Sequence, residues 1–285
     1  MLVELDAVGY TYLANSAVAD NALNGVSMAV DEGEFIAVIG ATGSGKTTLA
    51  QVMAGLLRPD AGRVLYEGAD IWRDRKQLPQ RRRLAGLVFQ EPERQLFEMT
   101  VEDDIGFWPR NVGVAAAEMP GMVEKAMTAV GLDYEAFRGR SPFGLSGGEM
   151  RRAAIAGILV MAPPLLILDE PTVALDPVGR AGLLERMKKL NREGTAIMLV
   201  SHDMDEVAEL ADRVIVMDKG RIVVEGAPRS IFSQGELLAK LGLELPQMAR
   251  LAKLLADKGL ALRSLPLTLG EMEDEILSAL GESPA

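Results

Sequence analysis

Gly40-Ala41-Thr42-Gly43-Ser44-Gly45-Lys46-Thr47 is the stretch whose reading decides the fold. The apolar run Phe35-Ile36-Ala37-Val38-Ile39 precedes it and Thr48-Leu49-Ala50-Gln51-Val52-Met53 follows. It therefore has the strand before and the helix after that the G-x-x-x-x-G-K-[ST] pattern requires. Glycines let backbone N–H groups converge on phosphate oxygens with no Cβ in the way. In that arrangement Lys46 is aimed at the β- and γ-phosphates and Thr47 at Mg²⁺, while Thr48 lies in the first turn of a helix whose dipole favours anions. A plain Gly/Ser-rich connection needs no Lys-Thr pair at this spacing. The stretch predicts a nucleoside triphosphate site on an α/β scaffold.

The flanking sequence supports that scaffold. Leu2 to Tyr12 alternates as a strand, and the segment from Asn24 to Val30 reads as a second strand before a turn. Arg63-Val64-Leu65-Tyr66 and Leu87-Val88-Phe89 are further short strands, bounded by Gly62, Gly68 and Gly86. From about Glu91 to Gly144 the pattern turns helical, broken by Pro109, Gly113, Pro120, Gly131 and Pro142. The core resumes with Leu165-Leu166-Ile167-Leu168, a helix around Gly179 to Leu190, Ala196-Ile197-Met198-Leu199-Val200, a helix over Met204 to Leu210, and Val214-Ile215-Val216-Met217. Near-continuous apolar strands alternating with helices predict a parallel sheet covered on both faces. Past Pro228 the strands stop and short amphipathic helices follow, one opened by Thr268-Leu269-Gly270-Glu271 in the pattern of a capping box.

Composition narrows the function. A hydrophobic content of 48% and a charged content of 25% over 285 residues fit one large globular unit with a smaller appendage. With no cysteine, disulfides and thiolate metal sites are excluded. The N-terminus shows neither the basic region nor the apolar stretch of an export signal. The longest uncharged run, Ala153 to Leu168, is shorter than the roughly 18–20 residues of a membrane span and is broken by Pro163-Pro164. A net charge of −11 argues against nucleic acid as a partner; Arg81-Arg82-Arg83 reads as a solvated face.

Asp169-Glu170 closes the apolar run Leu165 to Leu168. At a strand's end Asp169 is placed for the Mg²⁺ shell and Glu170 for polarising an attacking water, which points to hydrolysis and not to binding alone. Leu145-Ser146-Gly147-Gly148-Glu149-Met150-Arg151-Arg152 contains Ser146-x-x-Glu149, a capping box that opens a helix. The same octet resembles the signature sequence of ATP-binding-cassette ATPases, with Glu149 in place of the commoner glutamine. The resemblance covers about residues 1 to 230. It implies a P-loop NTPase fold of the cassette type: a mostly parallel sheet, an antiparallel β subdomain and an inserted helical subdomain at about 91–160. It also implies that Ser146, Gly147 and Gly148 bind the γ-phosphate of a nucleotide held by a different subunit.

Further roles follow from that likeness. His202, the only histidine, is expected to contact the γ-phosphate and orient the water, although a lone histidine near a strand end is more often structural. Gln90 matches the glutamine that touches Mg²⁺ and water and reports nucleotide state to a membrane subunit. Ala174-Leu175-Asp176 resembles the loop that touches the other subunit's site, with Val173 where a small polar residue is commoner. Tyr12 resembles the aromatic residue that stacks on adenine; Tyr10 is the competing choice, and a sheet-face role for Tyr12 stays open.

A narrower likeness lies in Val88-Phe89-Gln90-Glu91-Pro92-Glu93-Arg94-Gln95-Leu96-Phe97, Thr100 to Ile105 and Ala156 to Met161, which resemble the ATPase subunits of energy-coupling factor importers of vitamins, cobalt or nickel. It implies ATP and Mg²⁺ as ligands, and a helical extension at 231–285 that helps two ATPase subunits associate as a homodimer or heterodimer. It also implies a transmembrane energy-coupling subunit and a substrate-binding membrane subunit as partners, and a place on the cytoplasmic face of the membrane. Two rivals are an ATPase of another cassette importer and a soluble cassette ATPase acting on nucleic acid or ribosomes. The second usually carries either two cassettes or a long coiled-coil insertion, and neither is visible here.

Overall fold

The computed structural model describes residues 1–14, 19–73, 78–173, 175–260 and 262–280. Strand β1 (Val3–Tyr12) pairs antiparallel with β2 (Asp20–Val30) and with β4 (Ala61–Tyr66), and β5 (Ala69–Asp70) completes a four-stranded sheet in the order β2-β1-β4-β5. Between β2 and β4 the chain makes β3 (Phe35–Gly40) and helix α1 (Lys46–Met53). The second sheet has six strands in the order β10-β9-β3-β8-β7-β6, comprising β3, β6 (Ala85–Val88), β7 (Leu165–Asp169), β8 (Ala196–Val200), β9 (Arg213–Asp218) and β10 (Arg221–Gly226). All its pairings are parallel except β9 with β10.

Every residue of β3, β7 and β8 is buried, and the period of two sends alternate side chains to opposite layers. Leu165 and Ile167 of β7 join a core with α1 and the antiparallel sheet. Leu166 and Leu168 face the other way, into a core with the helical segment. That segment runs through α3 (Val101–Ile105), α4 (Phe107–Asn111), α5 (Met119–Ala129), α6 (Tyr134–Phe137) and α7 (Gly147–Leu159), whereas the short α2 (Leu78–Arg81) precedes β6 and packs Leu78 on the first core. α8 (Pro177–Arg192) and α9 (Met204–Leu210) are the later crossover helices.

Strand β10 has no counterpart in the expectations, because Arg221–Gly226 alternates exposed and half-buried residues after a turn and lacks the apolar run of its neighbours. The tail forms α10 (Pro228–Phe232), α11 (Gly235–Lys240), α12 (Gln247–Asp257) and α13 (Leu269–Leu280). Its Ile231, Phe232, Leu238, Ala249 and Leu267 share a core with Ala37, Ile39, Val214 and Val216 of the parallel sheet. Residues 281–285 of the expected extension lie outside the described residues. The capping box at Thr268 forms by half: Glu271 N–H donates to Thr268 Oγ1 at 3.3 Å, while the Glu271 carboxylate accepts from Leu267 N–H at 2.7 Å and not from the cap residue's own amide.

Candidate nucleotide site

Sheet order explains why residues far apart in sequence meet. β3, β8, β7 and β6 are successive neighbours running the same way, so the loops leaving their carboxyl ends stand side by side, about 4.8 Å apart per strand. Those loops begin with Gly40, Ser201-His202, Glu170 and, one residue past Phe89, Gln90. A crevice at the carboxyl edge of a parallel sheet is where ligands bind in open α/β folds.

The loop between β3 and α1 has no room for side chains at two glycines. A Cβ on Gly40 would lie 2.4 Å from the Met217 carbonyl, and one on Gly45 would lie 2.4 Å from the Ala22 carbonyl. Gly45 is also the N-cap of α1 at φ 102°, so no side chain caps this helix, and the first N–H groups of a helix have no partner within it. Ser44 is buried, and its Oγ has no hydrogen-bond partner among the described residues. Lys46 extends its ammonium back across the loop, donating to the Gly40 carbonyl at 2.7 Å and the Ala41 carbonyl at 3.0 Å. Uncapped amides, an orphaned buried hydroxyl and a folded-back ammonium together form a cradle suited to phosphate oxygens.

Asp169 is buried at the end of β7. Burial pushes its carboxyl above the ordinary aspartate range, and a hydrogen bond from Thr47 opposes the shift. Burial likewise lowers Lys46, with Glu170 and Asp169 opposing. The next residue, Glu170, takes a left-handed backbone at φ 51°, unusual for a non-glycine residue. Its amide donates to the Val200 carbonyl at 2.9 Å, which fixes it against the end of β8. Its Oε2 lies 2.6 Å from His202 Nδ1. The imidazole is exposed and faces the same cavity of about 850 Å³ as Gly40, Ala41, Thr42, Lys46 and Glu170.

Ser146, Gly148 and Asp176 line a different cavity, of about 580 Å³, that contains none of those residues. Ser146 caps α7 in both directions: its Oγ accepts from Glu149 N–H at 3.4 Å and the Glu149 carboxylate accepts from Ser146 N–H at 2.8 Å. That amide donation, the larger cause, and the Ser146 hydroxyl hold the Glu149 carboxyl below its usual range. Asp176 caps α8, its Oδ1 accepting from Gly179 N–H at 2.8 Å; Ala174 of the same loop lies outside the described residues. Gly147 is exposed in the first turn of α7.

Tyr12 is partly exposed at the end of β1, and its hydroxyl lies 3.2 Å from Thr48 Oγ1 on α1. Tyr10 meets Tyr12 edge to face, with centroids 4.9 Å apart, and packs against the core. Gln90 is exposed, and its carbonyl accepts from the Arg151 guanidinium. Arg151 also donates to the Val173 carbonyl at 2.5 Å. Arg151 thus ties the end of β6 to the signature helix and to the segment after Glu170. No pattern in the sequence marks this arginine, because arginines on helices are mostly exposed, yet this one is almost wholly buried.

A phosphate cradle, an acid-ended strand and a glycine-rich helix start, all on this sheet order, define a nucleotide-hydrolysing cassette. The ABC transporter family profile matches residues 23–173, and the chain belongs to that family. The energy-coupling factor transporter ATP-binding protein EcfA2 of Clostridium perfringens is 42% identical over 281 residues, covering 98% of this chain and 99% of that one. Its counterpart in Symbiobacterium thermophilum is 46% identical over 281 residues, covering 99% and 96%. Among solved structures, cbiO1 of Clostridium perfringens, part of the ABC transporter complex cbiONQ, superposes with a TM-score of 0.74 at 34% identity, over 90% of this chain and 98% of that one. A dimeric cassette in a post-hydrolysis state, bound to ADP and phosphate, gives 0.72 at 28% identity over 80% and 99%. Within the family, the chain falls among the energy-coupling factor ATP-binding proteins and is an ATPase subunit of that transporter class.

Proposed function

We propose that the working unit is a head-to-tail pair of ATPase subunits, either two copies of this chain or one copy with a related subunit. The observation that carries this is the separation of the two cavities: the Lys46, Glu170 and His202 cavity holds no part of the Ser146 and Asp176 cavity. Each hydrolytic site then joins one chain's phosphate loop to the other chain's Ser146, Gly147 and Gly148, with Asp176 at the contact.

Within such a site the glycine loop and Lys46 hold the phosphates, and Tyr12 lies toward the base. Thr47, Asp169 and Gln90 would hold Mg²⁺, which offsets phosphate charge when bound; a hydroxyl and one or two carboxylates beside substrate phosphates are the donor set this ion takes. Glu170 takes the proton of the attacking water. His202, bonded to Glu170, orients that water and contacts the γ-phosphate. The hydroxyl oxygen bonds to the γ-phosphorus as the bond to the β-phosphate oxygen breaks, giving ADP and phosphate.

We assign residues 1–230 to the ATP-binding domain, with the helical subdomain at about 91–160, and 231–285 to an extension that supports pairing. Among the described residues no helix is long and apolar enough to cross a membrane. Energy is thus passed to a separate transmembrane energy-coupling subunit, and substrate choice rests with a membrane subunit that binds vitamins or cobalt and nickel ions. The surface offered to the membrane partner is an apolar groove of about 390 Å³ lined by Leu56, Phe89, Leu96, Phe97, Trp108 and Met161, beside Gln90. The protein would then sit on the cytoplasmic face of the membrane.

Light scattering on the full chain tests the pairing. A Glu170→Gln variant is expected to double its mass on adding ATP and Mg²⁺. A wild-type chain that stays monomeric while hydrolysing ATP at the full rate would overturn it. Co-purification from membranes, with the partners identified, tests the transporter assignment.

A further inference from the structure

His202 is exposed, and among the described residues its imidazole bonds to Glu170 alone. Its direction therefore depends on the residues on either side, and both are anchored. Ser201 is buried and its Oγ donates to Glu206 Oε2 at 3.1 Å while accepting from Asp203 N–H at 3.0 Å. Asp203 Oδ1 caps α9, accepting from Asp205 N–H and Glu206 N–H at 3.0 and 3.1 Å. Its other oxygen, Oδ2, accepts from Arg180 Nη2 at 2.5 Å. Arg180 Nε lies 2.8 Å from Glu206 Oε1. That second contact is one of charge and not an aligned hydrogen bond, because Glu206 Oε1 has no hydrogen-bond partner among the described residues.

Arg180 belongs to the first turn of α8, and its N–H donates to the carbonyl of Asp176, the cap of that helix. One guanidinium thus bridges the helix begun by the Asp176 loop and the two carboxylates that brace the His202 turn. The rigid guanidinium plane directs Nη2 at Asp203 while keeping Nε and its charge beside Glu206; a lysine ammonium has the charge at one atom without that geometry. Glu206 is buried, so the bridge is also its charge partner.

We propose that Arg180 is a positioning residue for His202: through Asp203 and Glu206 it locks the imidazole's turn to the Asp176 helix. A displacement of that helix when a second subunit engages Asp176 is then passed to the water-orienting group. This rests on the role given to His202 above, and the experiment separates the two.

His202 is the chain's only histidine, so a full-length chain carrying ¹³C-histidine gives a single imidazole signal. Arg180→Lys retains the charge beside Glu206 and loses the fork. It is expected to shift or broaden that signal and to lower kcat by about tenfold to a hundredfold, with the KM for ATP within about twofold of the original. Asp203→Asn can still cap α9 and should reproduce the effect; it carries the test should Arg180→Lys fail to fold. The double variant should be no slower than the slower single one, since both act through one contact. An unmoved histidine signal in a folded Arg180→Lys or Asp203→Asn chain overturns the proposal, whatever happens to kcat. Wild-type kcat in those variants does so equally. His202→Ala is run beside them: full turnover there removes the role of His202 itself, and the proposal with it. Collapse there, with Arg180→Lys unaffected, defeats the proposal alone.

Discussion

Replacing Glu170 by Gln probes the chemistry with little disturbance to the scaffold. The amide has the carboxylate's shape, so the backbone bond from Glu170 N–H to Val200 and the unusual φ of 51° are left as they are. The side chain can still meet His202 Nδ1 across 2.6 Å, now as a neutral hydrogen bond. What disappears is basicity. General-base catalysis supplies about 10²–10⁴ in rate, equivalent to about 3–5 kcal/mol of barrier, so turnover at saturating ATP should fall by that factor. Because Glu170 is absent from the phosphate cradle's own bonds, ATP affinity measured by calorimetry should change little. Steady-state phosphate release on the purified transporter gives the first quantity. A Glu170→Gln enzyme within about threefold of wild-type turnover would refute the base assignment, since loss of a proton acceptor costs more than that. A parallel loss of ATP binding would instead show that Glu170 holds the nucleotide.

Lys46→Ala removes the ammonium that bonds the loop carbonyls; a charged hydrogen-bonding partner is worth about 1.5–3 kcal/mol, so ATP should bind about tenfold to a hundredfold more weakly by calorimetry, and equal affinity would discount the cradle. Asp169, whose carboxyl is raised by burial, holds its proton more tightly folded than unfolded. It therefore favours the folded chain as pH falls through the raised pKa and penalises it above. Asp169→Asn should raise the Tm of the nucleotide-free chain at about pH 8 and gain less at about pH 4, as followed by circular dichroism; an equal gain at both would refute the burial argument. Phe232→Ala, at a wholly buried site in the tail's core, should cost about 3–5 kcal/mol in denaturant unfolding. Leu254→Ala, on the exposed side of α12, should leave stability within about 0.5 kcal/mol and weaken pairing by light scattering; the reverse pattern would deny the tail its role in association.

Much of the site could be read in the chain because its parts are local patterns. The glycine loop with its strand and helix, and the four apolar residues ahead of Asp169, declare themselves at close range. Their adjacency does not, since β3, β8 and β7 become neighbours only through crossovers that skip sequence order. Glu206 is hidden for another reason: the sequence offers only a helix over Met204 to Leu210, and the packing of α8 shows that this carboxylate faces inward. The tail misled more mildly. Its apolar residues announced helices, yet nothing in their spacing told that Ile231 and Phe232 cover Ala37 and Ile39, so that the extension roofs one face of the sheet.

The two cavities kept apart on one polypeptide carry a consequence for genetics. In an antiparallel couple, a protomer lesioned at Lys46 and a protomer lesioned at Ser146 distribute their defects unevenly. One composite site inherits both faults and the other inherits neither. Two alleles that are each dead alone should therefore rescue one another when co-expressed, whereas two faults borne by the same polypeptide should spoil both sites of a mixed pair.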